Sequence, residues 1–344
     1  MERTVITGLG LLSAAEPDDA DPWAPFAGRP RRLPPGRLAE VDGAGGDPRL
    51  RQADRPSRLA LTAAARAAAD AGFAGALPAG SGIALGSALG CLATNGEYLQ
   101  TILARGSRFG NPTLFQNTVP NAAAGYASVV HGLDGPTITV CSGADAGLEA
   151  VAFATRAVAA GRAPAMLAGG FEELSAWLGD ARRLPSLVGA SEHGAALGEP
   201  GRGGELAEGA CILVLEAEER AVARGARGYA WIAAVARTAG SGSGSAALAA
   251  ARALERAGIA PSEVGLVVTA AEGDAPVPAA AAASPVPWVG DTTGAGGPFA
   301  LALAALCLAG RRLPDRELPE PASALVLGGD GAASTAVVLR RWPS

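Results

Sequence analysis

The sequence predicts an α/β protein made of two similar strand-and-helix series over one shared core. Short apolar runs rich in Val, Ile and Leu alternate with longer Ala-rich runs of helical period, the pattern of a largely parallel sheet covered by helices. Each series brings a buried helix towards a strand that closes on paired glycines, GGFEE at 169–173 and GGDGA at 328–332. Hydrophobic residues make up 49% of the 344 positions but aromatics only 4%, so the core must be assembled from Ala, Val, Leu and Ile, whose small side chains let elements approach closely.

RTVITGLG (3–10) opens as a short strand closed by glycines. Residues 14–55, rich in Pro, Asp, Gly and Arg, read as loop. An amphipathic helix over 57–73 ends at Gly72, and SGIALGSALG (81–90) is a strand with a glycine turn. NGEYLQTILARG is a helix, and NAAAGYASVVHGL (121–133) a second, buried and small-sided. GPTITV reads as a strand entering a buried sheet, followed by a helix over 146–160 and a strand over 163–170. After an irregular stretch (174–204), the second series begins with the strand ACILVLEA (210–217) and the strand RGYAWIAAVART. It continues with the helix SAALAAARALERAG, the strand VGLVVTAA, the buried helix 297–310, and two closing strands in SALVLGGDG and STAVVLRRW. No Pro/Ser linker separates the series, so 1–344 is expected to be one unit with an N-terminal half at 1–200 and a C-terminal half at 201–344. GSGSGS (240–245) lacks the strand, spacing and acidic partner of a phosphate loop and reads as a turn.

The formal charge of −5 offers no basic surface for nucleic acid, and every basic residue is an arginine. No unbroken apolar run reaches the ~20 residues that span a bilayer, and MERTVITGLG has no apolar stretch of a signal peptide. A cytoplasmic protein without membrane association is expected. Cys91, Cys141, Cys211 and Cys307 form no CxxC pair and are expected to be buried free thiols in a reducing compartment, with no metal site.

TVCSGADAGLEA (139–150) is a sharp strand-to-helix turn, a place where nucleophiles are often presented. With VITGLGLLS, DRPSRLALTAAARAAADAG, NAAAGYASVVHGLDGPTITV, GRAPAMLAGGFEEL, GELAEGACILVLEAEERAVARGARGYAWI and GAGGPFALALAALCLAGRRLP, it resembles the β-ketoacyl-acyl-carrier-protein synthases from residue 2 to about 340. The resemblance implies the thiolase-like fold, two pseudo-duplicated β/α halves in a layered αβαβα core. It also implies a chemistry: a cysteine thiolate accepts the acyl chain, two histidines stabilise the enolate formed on decarboxylation, and a lysine supports the second.

Matched residue by residue, the cysteine position falls on Ala144, the histidines on Ala270 and Asp291, and the lysine on Val286. All four groups are missing. The two histidines of the chain, His131 and His193, lie in segments that cannot supply the pair, and each is expected to be a surface or helix-end residue. Cys141 stands three residues before Ala144, where burial inside the strand and the lack of a basic partner argue against a nucleophile.

One branch of the family has this character: the chain-length factors of type II polyketide synthases, inactive partners of an active ketosynthase. ADAGLEA (144–150) and HGLDGP (131–136) are similar to that branch, although the glutamine common at its elbow is here Ala144. Compressed tracts after Thr238 and between 270 and 291 are similar to partners in synthases of polyene or highly reduced chains. The resemblance implies a heterodimer with an active ketosynthase, an acyl carrier protein presenting acyl groups on its phosphopantetheine, and no cofactor of its own. Within NPTLFQNTVPN, Phe115, Gln116 and Val119 are then expected at the interface, shaping the partner's acyl tunnel. Two alternatives stay open: a divergent acyltransferase or condensing enzyme using Cys141 or Asp291, and a homodimeric carrier-protein scaffold.

Overall fold

The computed structural model describes residues 2–15, 21–29, 38–39, 41, 50–73, 76–177, 206–239, 244–271, 277, 281–313, 320–329 and 333–343. His193, the stretch 178–204 and residues 240–243 of the GSGSGS run lie outside them. Strands β1 (Thr4–Ser13), β2 (Gly82–Gly86), β3 (Thr137–Val140), β4 (Ala165–Glu172) and β5 (Gly209–Ala217) form one five-stranded set. A second set is formed by β6 (Ala230–Ala239), β7 (Leu266–Thr269), β8 (Ala281–Ala283), β9 (Ser323–Gly329) and β10 (Ala333–Arg341). The strand order is β3-β2-β4-β5-β1-β6-β10-β9-β7-β8. It reads the same from either end: in each half two parallel pairs surround the second strand and two antiparallel pairs bring in the last and first. The halves meet where β1 and β6 pair over three residues, Thr4–Ile232, Val5–Trp231 and Ile6–Ala230.

Helices separate into three layers. Helix α1 (Arg55–Asp70) starts on Asp54, which accepts from the Ser57 amide at 3.2 Å, and has a proline in its first turn; it packs with α4 (Ala122–His131) on the outer face of the first set. Helices α2 (Leu92–Arg105) and α3 (Pro112–Phe115) lie between them in sequence. Helix α5 (Ala146–Ala159) covers the inner face of the first set. The short α6 (Glu218–Ala223) links the halves, and α7 (Gly244–Ala257) covers the outer face of the second set. After α8 (Val286–Val289) comes α9 (Gly296–Leu308), in which all thirteen residues are buried. A helix that is apolar all round must be enclosed on every side, and α9 lies beside α5 between the two strand sets. The layers are thus αβαβα, as the resemblance implied.

The paired glycines have a common reason. Gly170 on β4 and Gly328 on β9 hold equivalent places in the two halves. A Cβ on Gly170 would lie 2.6 Å from the Gly294 carbonyl, and one on Gly328 would lie 2.7 Å from Leu148. Each half therefore approaches the other through a bare backbone.

Several expectations need correction. The 210–217 strand, placed in the second series from sequence, sits between β4 and β1 and completes the first set. GPTITV does not enter the interior of the sheet: β3 is its edge, and its residues are exposed or half-buried. Helix α4 is buried on one side only, leaving Val129 exposed. His131 is at the helix end, as expected, but buried rather than superficial.

Candidate functional site

The strand-to-helix elbow is present. The chain leaves β3 at Val140, passes Cys141 and Ser142, turns at Gly143 (φ 72°) and enters α5 after Ala144 and Asp145. A side chain at Gly143 would be strained, so the glycine makes the turn possible. The Ser142 hydroxyl is bonded to the Glu149 carboxylate one turn into α5.

Asp145 is fully buried and bridges the halves. Its Oδ2 accepts from the Thr335 hydroxyl at 2.7 Å on β10 and lies 3.5 Å from Arg237 Nε on β6; the same Nε lies 2.9 Å from Glu149. Its Oδ1 is buried with no hydrogen-bond partner among the described residues. Burial pushes the Asp145 carboxyl up to about 7, against the pull of Thr335 and Arg237.

The loop before α9 packs against the elbow. A Cβ on Gly147 would lie 2.4 Å from the Gly294 carbonyl, so the first turn of α5 touches this loop through glycine. Asp291 Oδ1 accepts from the Thr293 amide at 2.9 Å, and the Asp291 carbonyl accepts from the Ala207 amide at 2.9 Å. Thr293 has φ 40°, a strained conformation for a β-branched residue. The strain is held by Glu172, at the end of β4. This buried carboxylate accepts from the Thr293 hydroxyl at 3.0 Å, the Gly294 amide at 3.3 Å, the Ser87 hydroxyl at 3.0 Å, and the Ala88 and Leu89 amides at 2.7 and 3.1 Å. One side chain thus ties the turn after β2, the end of β4 and the loop before α9. Burial raises its pKa to about 6, held back by the Ala88, Ser87, Thr293 and Leu89 donors.

Ala270 follows β7; its amide donates to the Leu327 carbonyl at 2.8 Å, and its side chain faces the start of α9 at Gly296. The segments carrying Ala144, Ala270 and Asp291 therefore share one region, where the two halves meet at the N-termini of α5 and α9. Val286 opens α8 nearby in sequence and is buried. Two methyl groups and a carboxylate that caps its own loop supply neither a thiolate nor an imidazole. Among the described residues, no group of three or more His, Cys, Asp or Glu is placed to hold a metal ion. No described helix is long and apolar enough to cross a membrane.

Cys141 departs from expectation. Cys91, Cys211 and Cys307 are buried, but Cys141 lies just beyond β3 at the sheet edge and is exposed. Its thiol is nevertheless pushed up from the ordinary value, by partial desolvation first and by the Glu172 charge second, the opposite of what an attacking thiolate needs. Phe115 and Val119 are also exposed, and Phe115 packs its ring 5.6 Å from that of Tyr98. Gln116 is tied to Gln52 at 2.6 Å and to the Tyr126 hydroxyl at 3.3 Å.

Sequence reasoning missed Asp145, Glu172, Thr293 and Arg237. The one available signal was Glu172, two residues after the paired glycines 169 and 170, in a segment too apolar to leave a carboxylate solvated.

Residues 40–221, a little over half of the chain, match the model of the β-ketoacyl synthase N-terminal domain. The chain belongs to the β-ketoacyl synthase family. The 3-oxoacyl-[acyl-carrier-protein] synthase 2 of Vibrio cholerae is 36% identical over 155 residues, which are 43% of this chain and 37% of that protein. The match therefore takes in less than two thirds of that relative's length. A β-ketoacyl synthase from Burkholderia phymatum superposes with a TM-score of 0.80 at 24% identity over the full length of both chains. The ishigamide ketosynthase/chain length factor gives 0.75 at 18% identity over 99% of this chain and 100% of the other. These two likenesses establish the ketosynthase fold across both halves.

Proposed function

We propose that this β-ketoacyl synthase relative is a non-catalytic, chain-length-factor-like subunit that pairs with an active ketosynthase and shapes the acyl tunnel of a type II polyketide synthase, of the polyene or highly reducing kind. The observation that carries this reading is the elbow: its turn, its helix and its cross-half hydrogen bonds are all formed, while the position it presents is the methyl of Ala144. The family's remaining positions are equally disarmed at Ala270, Val286 and Asp291. A fold kept intact around an absent reaction serves assembly. Edge strand β3 supports the pairing, because Thr137–Val140 carries no charge or proline that would block strand addition. Exposed Leu99, Leu103, Phe109, Phe115, Val119 and Val129 lie in α2, α3 and α4 and the turns between them, and α4 packs against β3. Large apolar side chains of this kind are what an obligate interface covers. The acyl carrier protein brings substrate to the active partner, and this chain holds none covalently.

Co-expression with the active ketosynthase tests the proposal. A stable heterodimer is expected, with acyl transfer to the partner only, read by intact mass after incubation with acyl-carrier-protein thioesters. The exposed Cys141 thiol favours a second reading, an acyl-accepting enzyme. A thioester adduct on this chain, abolished by Cys141→Ser, would establish that reading instead.

A further inference from the structure

The two strand sets part beyond Ile232. β6 pairs with β1 only as far as the Thr4–Ile232 pair, and its register against β10 then shifts, Ala234 opposite Val338 but Ile232 opposite Leu339. Ala233 is the extra residue of a β-bulge, a device that bends a strand away from its neighbour. The departing strand opens a wedge against the C-terminal half of α5, a cavity of about 1030 Å³. It lies at the opposite end of α5 from the elbow, some three turns or ~20 Å along a helix of fourteen residues.

The floor and the rim of this cavity differ. Phe153, Ala157, Ile232, Ala234 and Val235 give an apolar floor, with Trp231 at one side. Around it stand five arginines, Arg3, Arg156, Arg162, Arg256 and Arg340, against one carboxylate, Glu2. Counting Glu218, which pairs with Arg3, this leaves a local excess of three positive charges in a chain of net charge −5, a concentration of one sign. Two of the guanidiniums are positioned by the fold: Arg256 Nη1 donates to the Val235 carbonyl at 2.8 Å and Arg340 Nη2 to the Ala257 carbonyl at 3.3 Å. Each keeps further N–H donors for another acceptor. Arg3 lies over the Trp231 ring at 4.8 Å and 3.6 Å from Glu218. Arg156 and Arg162 make no ion pair among the described residues.

We propose that this cleft binds a phosphorylated amphiphile, its phosphate held by the arginine rim and its apolar body laid over Phe153 and Val235. Guanidinium forks match the paired oxygens of a phosphate, and several of them select a doubly charged head over a single carboxylate. The volume is at the upper end of ordinary small-molecule sites and accommodates a chain or ring system behind that head. A recess of this volume fits one molecule and not the flat face of a bilayer. The site uses no elbow residue and no residue of β3; only Pro136, just before that strand, reaches its lining.

Titration of the full-length chain with dodecyl phosphate below its micellar concentration, by calorimetry and tryptophan fluorescence, tests the proposal. Saturable binding of one molecule is expected, weakening with salt. Inorganic phosphate is expected to bind more weakly and dodecyltrimethylammonium not at all. Arg156→Glu with Arg162→Glu should weaken dodecyl phosphate roughly tenfold or more with the melting temperature unchanged, while Arg51→Glu, an exposed position outside the cavity lining, should change nothing. If the charge reversals disturb folding, Arg156→Gln with Arg162→Gln reads the same loss. Equal binding of the cationic amphiphile, or full affinity in the double variants, overturns the proposal. So does inorganic phosphate binding as tightly as dodecyl phosphate. Flotation with phosphatidylglycerol vesicles that the double variant abolishes would make a membrane surface the occupant and overturn it as well.

Discussion

The hydroxyl of Thr335 donates to Asp145 at 2.7 Å, and this bond ties the elbow of the first half to the sheet of the second. The carboxyl it holds is fully buried and has a pKa raised to about 7. A carboxyl whose folded pKa exceeds its unfolded value of about 3.9 binds its proton more tightly in the folded state. Its stabilising contribution is complete below the unfolded value and is lost as pH rises through about 7. Asp145→Asn keeps an acceptor for Thr335 and removes the titration. The variant should gain stability relative to the parent between pH 5 and 8, by on the order of 3 kcal/mol at most, less whatever the lost Arg237 contact contributed. Glu172 and Glu173, raised to about 6 and about 7, titrate in both proteins and cancel in the difference. Urea unfolding at the two pH values measures it; a parallel pH dependence in both proteins would remove Asp145 as the source.

Ala144→Cys should place a thiol at the elbow without restoring condensation. The cysteine would find Ala270 and Asp291 where imidazoles are needed, and each missing acid–base or oxyanion group typically costs ~10²-fold or more in rate. Carbon–carbon bond formation is measured with the purified variant alone. Appreciable product would mean that another group performs the histidines' work.

Much of the fold was legible because apolar periodicity reports burial. The fully apolar α9 and the runs of β4, β5 and β9 were visible for that reason, since each is enclosed on both faces. The β3 edge was not, because TITV has the composition of an interior strand, and only the strand order reveals that no described strand pairs with its outer side. Strand β8, three alanines, has no intrinsic signal and exists through its parallel pairing with β7. At the site, the missing groups could be read position by position. The Asp145–Thr335 and Glu172–Thr293 contacts could not, since they join residues 190 and 121 positions apart.

Asp291→Asn should leave assembly and product output of the complex nearly intact. The side chain accepts from the Thr293 amide at 2.9 Å, and an asparagine oxygen can do the same. Strained Thr293 keeps its anchor on Glu172 in either case. Product is compared by mass spectrometry at equal heterodimer concentration. A collapse of output with the heterodimer assembled would place Asp291 in the chemistry.

Phe115 and Val119 separate a tunnel-shaping subunit from a passive one. Phe115 is 61% exposed and Val119 46% exposed. A fully buried phenylalanine costs about 3–5 kcal/mol when cut to alanine. Here most of the ring has nothing to lose but its contact with Tyr98, so Phe115→Ala should cost this chain only ~1 kcal/mol. Both side chains are thus free to serve a partner's cavity. If Phe115 closes the floor of that cavity, Phe115→Ala in the co-expressed complex lengthens the products by whole two-carbon units. Val119→Trp adds bulk at the same floor and shortens them. Gln116, held by Gln52 and Tyr126, fixes the backbone between the two, and Gln116→Ala should broaden the length distribution without shifting its centre. Products of unchanged length from both the Phe115 and Val119 variants, with the heterodimer intact by size-exclusion chromatography, would take these residues out of the tunnel and leave them as interface packing.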